Sequence, residues 1–241
     1  MTDYTPQILN LVNASPVIHY EWENRGIAPR GYINGMVLTF ASVYLSSKQG
    51  DKYVAEMSKA NTHDASKDAL AYYAGIFDIM KMNNDVAGAD TLRHLWTLLI
   101  GLGMRESSGQ YCCGRDRSAD NVTSDTAEAG AFQASWNAHV ANPLMLDLFT
   151  NWKLSGLANY FHEGVHCSTL DLANYGSGNG YKFQALCKSD PSFAAWFAAI
   201  GLRNLKSHWG PIIRREAEVR HDVDVLLQGV QKIVDSGELV A

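Results

Sequence analysis

The chain has 241 residues, 46% of them hydrophobic and 19% charged, with 20 Lys+Arg against 25 Asp+Glu. This mixture suits one sizeable folded unit and excludes a disordered or collagen-like chain, while the net charge of −5 gives no basic face for nucleic acid. No apolar run reaches the ~18 residues a membrane span needs. The opening residues lack the charged and apolar regions of a secretory signal, so a secreted or cell-envelope place is expected only if a leader has been removed.

Helical periodicity dominates and no series of alternating strands is found, so a mainly α fold is expected. Residues 32–45 place Met36, Val37, Phe40, Val43 and Tyr44 at helix-face spacing. A second helix is expected after Asp64 or Ser66, with Leu70, Tyr73, Ala74, Phe77 and Met80 on one face and a stop near Asn83. Residues 91–104 are apolar nearly all round, which predicts a helix buried on every side. The polar, acidic stretch 109–130 reads as a long functional loop. Asp190-Pro191 predicts an N-cap and first-turn proline for the next helix. A last helix is expected from about Pro211, striped by Val219, Val223, Leu226, Val230 and Ile233, to a stop at Gly237. Residues 1–88 are expected to form a helical N-terminal subdomain and residues 89–241 the remainder of what is one compact unit. Among the cysteines, Cys112 and Cys113 are neighbours, so a bridge would run from this pair to Cys167 or Cys187, unless all four stay reduced.

Glu106 stands where the buried helix is expected to end, in GMRESSG. Burial beside Leu99, Leu102 and Met104 and the negative end of the helix dipole both disfavour its charged form. A raised carboxyl pKa is what a general acid needs near neutral pH. Three segments in order, Glu106-Ser107-Ser108-Gly109, Ala129-Gly130-Ala131-Phe132-Gln133 and Ala173-Asn174-Tyr175-Gly176, resemble the lysozyme-like superfamily of soluble lytic transglycosylases and goose-type lysozymes. The resemblance covers roughly residues 90 to 180, in pieces.

This resemblance implies a lysozyme-like helical domain with helical extensions at both ends. It implies Glu106 as the catalytic acid, Ser107 and Gln133 in the cleft, and Asn174 and Tyr175, in inverted order, at a sugar-binding turn. Asp125 stands near the place of a water-positioning aspartate, with Glu128 close behind, while Ser135 replaces a second family aspartate. Trp136 and Tyr111 flank the loop, either as sugar-stacking rings or as core packing. The implied activity is cleavage of β-1,4-linked amino-sugar polymer, foremost peptidoglycan. It would proceed by hydrolysis if Asp125 or Glu128 holds a water, or by transglycosylation if neither does. A monomer acting on a polysaccharide, without a cofactor, is expected.

Chitosan or chitin is the nearest alternative substrate, and a helical interaction protein without catalysis is a different class. A third alternative comes from His162-Glu163-Gly164-Val165-His166, which fits the H-E-x-x-H zinc-peptidase pattern. Gly164 weakens the helix that motif needs, and Asp171 follows too closely to be a third ligand. The spacing of Asp116, Ser118, Asp120, Ser124 and Glu128 is similar to an EF-hand calcium loop, but Asn121 replaces the required glycine and Glu128 falls one place late. No metal site is therefore expected. Neither a phosphate-binding G-x-x-x-x-G-K-[ST] loop nor a G-x-S-x-G elbow is present.

Overall fold

A computed structural model describes residues 4–117 and 123–238. The fold is mainly α. Its helices are α1 (Thr5–Ala14), α2 (Arg30–Lys48), α3 (Lys52–Met57), α4 (Ala69–Tyr72), α5 (Ala74–Ile79), α6 (Ala89–Ser107), α7 (Pro143–Asn151), α8 (Thr169–Leu172), α9 (Gly178–Ser189), α10 (Pro191–Asn204), α11 (Gly210–Ile213) and α12 (His221–Glu238). Strands β1 (Glu21–Trp22) and β2 (Gly26–Ile27) form a small antiparallel hairpin with Glu21 opposite Ile27. None of the described helices is long and apolar enough to cross a membrane.

Three buried helices, α2, α6 and α10, pack against one another at the centre. Helices α1 and α12 cover them on one side, and α7 and α9 pack on α10. Every residue from Thr91 to Met104 is buried, as expected of a run apolar nearly all round. Glycines let the neighbours close in on α6. A Cβ at Gly101 would stand 2.0 Å from the Glu218 carbonyl oxygen, and one at Gly103 2.1 Å from the Tyr32 hydroxyl. Two of its buried polar side chains are partnered: Arg93 binds Asp224 at 2.6 Å, and His94 Nδ1 lies 2.8 Å from Asn84 Oδ1. The core is continuous across residue 88, joining Ile8 through Met82 to Leu92 through Val234.

Three expected elements differ. The second helix is broken at Tyr73 into α4 and α5, with Asp68 capping α4 through the Leu70 N–H at 3.0 Å. The last helix does not begin at Pro211: α11 ends at Ile213, Arg215 takes φ 55°, and α12 starts only at His221. It then runs through Gly237, whose missing side chain admits the Tyr4 ring. Asp190 precedes α10 but its carboxylate does not cap it. That carboxylate accepts instead from Trp152 Nε1 (2.9 Å), Ser155 N (2.7 Å) and Ser155 Oγ (2.7 Å).

Candidate active site

Helix α6 ends through Ser108, in the left-handed region at φ 55°. The Ser108 and Gly109 N–H groups satisfy the carbonyls of Met104 and Gly103. The last turn therefore holds Glu106 at a fixed place on a rigid, buried rod. Its carboxyl opens into a groove of about 460 Å³, lined also by Cys113, Gly114, Glu128, Gln133, Asp171, His208 and Arg214. Among the described residues no hydrogen bond or ion pair engages the Glu106 carboxyl. Burial first, and then the Glu128 charge, push its pKa up from 4.5 to about 8, against the opposing pull of Arg214 and Arg25. Its sequence neighbour Arg105 points elsewhere, binding Glu216 at 3.1 Å.

Short ties build the walls. Ser107 Oγ donates to the Ala131 carbonyl at 2.9 Å, fixing the end of α6 to the 129–134 turn, where Ala129 and Ala134 form an isolated bridge. Gln133 sits at the turn with φ 44°, and its Nε2 donates to the Gly130 carbonyl at 3.0 Å. Gly130 N–H in turn donates to the Cys113 carbonyl at 2.9 Å. The opposite wall is held by the Cys112–Cys167 disulfide, Cα atoms 5.9 Å apart, which leaves Cys113 and Cys187 as thiols. Just beyond it, a Ser168–Asp171 capping box starts α8, and Asp171 lines the groove beside Gly114, close enough that a Cβ on Gly114 would lie 3.1 Å from its Cα. Hydrogen bonding from Ser168 holds the Asp171 carboxyl below the usual carboxylate range.

Of the residues expected at the site, Glu106, Glu128 and Gln133 share the groove. The other five do not line it. Ser107 is buried, its hydroxyl spent on Ala131. Trp136 is a core ring, stacked on His139 at 4.1 Å and packed on Phe149 at 4.6 Å, because 136–141 folds into a 3-10 helix that turns the indole inward. Asp125 packs instead on the start of α9, where its Oδ1 lies 2.6 Å from the position of a Cβ on Gly180. Asn174 is half-buried with its Oδ1 unpartnered. Tyr175 reaches the groove only indirectly: the Arg115 guanidinium, which lines it, lies 4.0 Å over the Tyr175 ring. Tyr111 stacks on His162 at 5.2 Å.

The H-E-x-x-H segment is not a helix. His162 follows a 3-10 turn (Ala158–Phe161), and Gly164 takes φ 76°, so the two imidazoles do not sit one helical turn apart on one face. Among the described residues no group of three or more His, Cys, Asp or Glu is placed to hold a metal ion. Of the calcium-loop positions, Ser118, Asp120 and Asn121 lie outside the described residues.

Sequence reasoning missed Asp171, His208 and Arg214 as groove residues. His208 Nε2 accepts the buried Ser135 N–H at 3.3 Å, and burial lowers its pKa to about 4, so the ring is neutral. Arg214 is oriented by Glu216 at 2.9 Å. Both come from the stretch between α10 and α12, more than seventy residues from the turn they face, and no local pattern marks them. Comparison with protein-family models, with curated proteins and with solved structures finds no match for the chain.

Proposed function

We propose that this protein is a lysozyme-like glycosidase that cleaves β-1,4 linkages of peptidoglycan, with Glu106 as the general acid. One observation carries the reading: a carboxyl with no hydrogen-bond or ion-pair partner among the described residues, on the end of a buried helix, has its pKa pushed up to about 8 in a polar groove. Such a group delivers a proton to a glycosidic oxygen as positive charge develops on the sugar ring. Glu128, the groove carboxylate whose charge acts on Glu106, is the better candidate to hold the attacking water than Asp125, which packs on α9. A second carboxylate in the groove favours hydrolysis over internal attack by a substrate hydroxyl. Gln133, Asp171 and Arg214 offer hydrogen-bonding groups along the same groove for sugar hydroxyls and amides.

The test is release of soluble fragments from purified cell walls, with mass spectrometry of the products. Reducing ends support hydrolysis, and 1,6-anhydro ends support transglycosylation. Cleavage of chitosan or chitin with inert cell walls moves the substrate assignment. No turnover of any of these polymers, by a folded protein, refutes the enzyme reading.

A further inference from the structure

Three guanidinium groups gather at the end of α6 beside Glu106, and a single carboxylate answers two of them. Arg105 donates through Nε to Glu216 at 3.1 Å, and Arg214 lies 2.9 Å from the other oxygen of the same carboxylate. Arg105 also reaches the β1–β2 hairpin, donating through Nη1 to the Glu23 carbonyl at 3.3 Å. That contact seats the hairpin turn against the helix end that carries Glu106. The turn closes through the Arg25 N–H on the Trp22 carbonyl at 2.9 Å, with Asn24 at φ 58° and Gly26 at φ 69°. Arg25 is thus held at the rim, exposed, while Arg214 lines the groove itself.

The positive charge here is not balanced within the protein. Among the described residues, the Arg25 guanidinium has no hydrogen-bond or ion-pair partner. Glu218 is spent on the Tyr20 hydroxyl (2.6 Å) and the Glu23 N–H (2.7 Å). Glu106, its pKa pushed up to about 8, supplies no counter-charge at neutral pH. The other acids of the groove, Asp116, Glu128 and Asp171, come from the acidic loop and α8, whereas Arg214 comes from the stretch between α10 and α12. The two signs therefore sit on different segments around Glu106.

We infer that Arg25 and Arg214 together recognise a carboxylate carried by the glycan, so that the groove selects an anionic sugar chain over a neutral or amine-bearing one. The inference rests on the glycosidase reading for the polymer, and on the arginines for its charge. Guanidinium forks match the two oxygens of a carboxylate. A neutral sugar would leave the excess charge as it stands, and an amine-bearing chain would be repelled by it. A bound carboxylate would also act on the acid. It would offset the two charges that pull the Glu106 pKa down, so the acid would hold its proton more firmly in the complex than alone.

Binding to the intact Glu106→Gln protein is measured by calorimetry with two tetrasaccharides. One is a peptide-free glycan-strand fragment with free lactyl carboxylates, and the other is chitotetraose. The carboxylated fragment should bind about tenfold tighter, since exposed ion pairs are worth up to about fivefold each. Adding Arg25→Gln and Arg214→Gln should remove that margin and leave the chitotetraose affinity unchanged. Raising the salt to about 0.5 M should shrink it as well. A fragment with its peptide stems attached, and so without free lactyl groups, separates the sugar's own carboxylate from those of the peptide; a margin for either fragment supports the clamp. No margin for either over chitotetraose, or a margin that survives the loss of both arginines, overturns it. In wild-type turnover of carboxylated strands the alkaline limb of kcat should lie above that of kcat/KM and converge with it when both arginines are replaced; limbs that already coincide count against the clamp. Cell walls cleaved without any margin leave the reading of Glu106 standing and the clamp refuted. A margin with cell walls left intact does the reverse.

Discussion

Replacing Glu106 by glutamine should move two observables in opposite directions. Holding a carboxyl at about 8, against an ordinary 4.5, costs the folded state at most about 5 kcal/mol at high pH, since each pH unit is worth about 1.36 kcal/mol. The folded carboxyl keeps its proton more tightly than the unfolded one. Stability is therefore undiminished below about pH 4.5, falls as pH rises above it, and bears the full cost above about 8. Water in the groove screens part of that cost, so glutamine should recover about 1–3 kcal/mol at pH 9. For a chain of this size that is about 3–10 °C in melting temperature. At pH 4 the two proteins should melt together. Activity should fall by at least ~10²–10⁴-fold, because the amide keeps the shape and has no proton to give. Melting scans at pH 4, 7 and 9 beside a cell-wall turbidity assay measure both. A difference in melting temperature that does not vary with pH would refute the buried, neutral carboxyl, and near-wild-type turnover would refute its role.

Glu128→Gln should cost far more turnover than Asp125→Asn, and the alkaline limb of its residual activity should move to lower pH, because a charge that raises the Glu106 pKa has gone; equal losses in the two variants would count against Glu128. Removing the Cys112–Cys167 bridge by the double serine variant should destabilise the protein by about 4 kcal/mol, the loop-closure value for a separation of 55 residues, measured by urea titration. His208→Ala strips the acceptor from the buried Ser135 N–H and should cost about 1–3 kcal/mol at pH 7. The neutral ring's contribution is complete above the ordinary 6.5 and is lost as pH falls through about 4, so the gap between His208→Ala and wild type should close in that window.

The buried helix and its terminal glutamate were legible because both are local signals. A run that is apolar nearly all round reads as an interior helix, and the carboxyl that follows it lies at the edge of that burial. The aromatic Trp136 misled because an indole beside a polar loop looks the same in sequence whether it faces a sugar or the core. Only the 3-10 turn at 136–141 decides. Asp125 and Glu128 are three residues apart, yet the turn at 123–126 sends one toward α9 and the other into the groove. Periodicity cannot resolve such a difference, since it rests on backbone geometry set by contacts with Gln184, whose Nε2 bonds the carbonyls of Ser124, Tyr175 and Gly180. His208, Asp171 and Arg214 reach the groove by tertiary packing alone.

A general acid must keep its proton and also keep its position, and the two demands compete. Desolvation supplies the first at the expense of stability, so the surroundings have to resist the local opening that would let water reach Glu106. Here the resistance comes from ties that are individually modest and arranged in series. Ser107 joins the end of α6 to Ala131, Gly130 joins that turn to Cys113, and the Cys112–Cys167 bond joins the next wall to the segment carrying Asp171. The Glu106 helix and the two loop walls are thus linked through only a few residues. Loosening one tie should rehydrate the carboxyl and lower its pKa, and it should also loosen the core, because Ala129, Ala131, Phe132 and Ala134 of the tied turn belong to that core. The alkaline limb of activity and the melting temperature should therefore move together when a tie is cut.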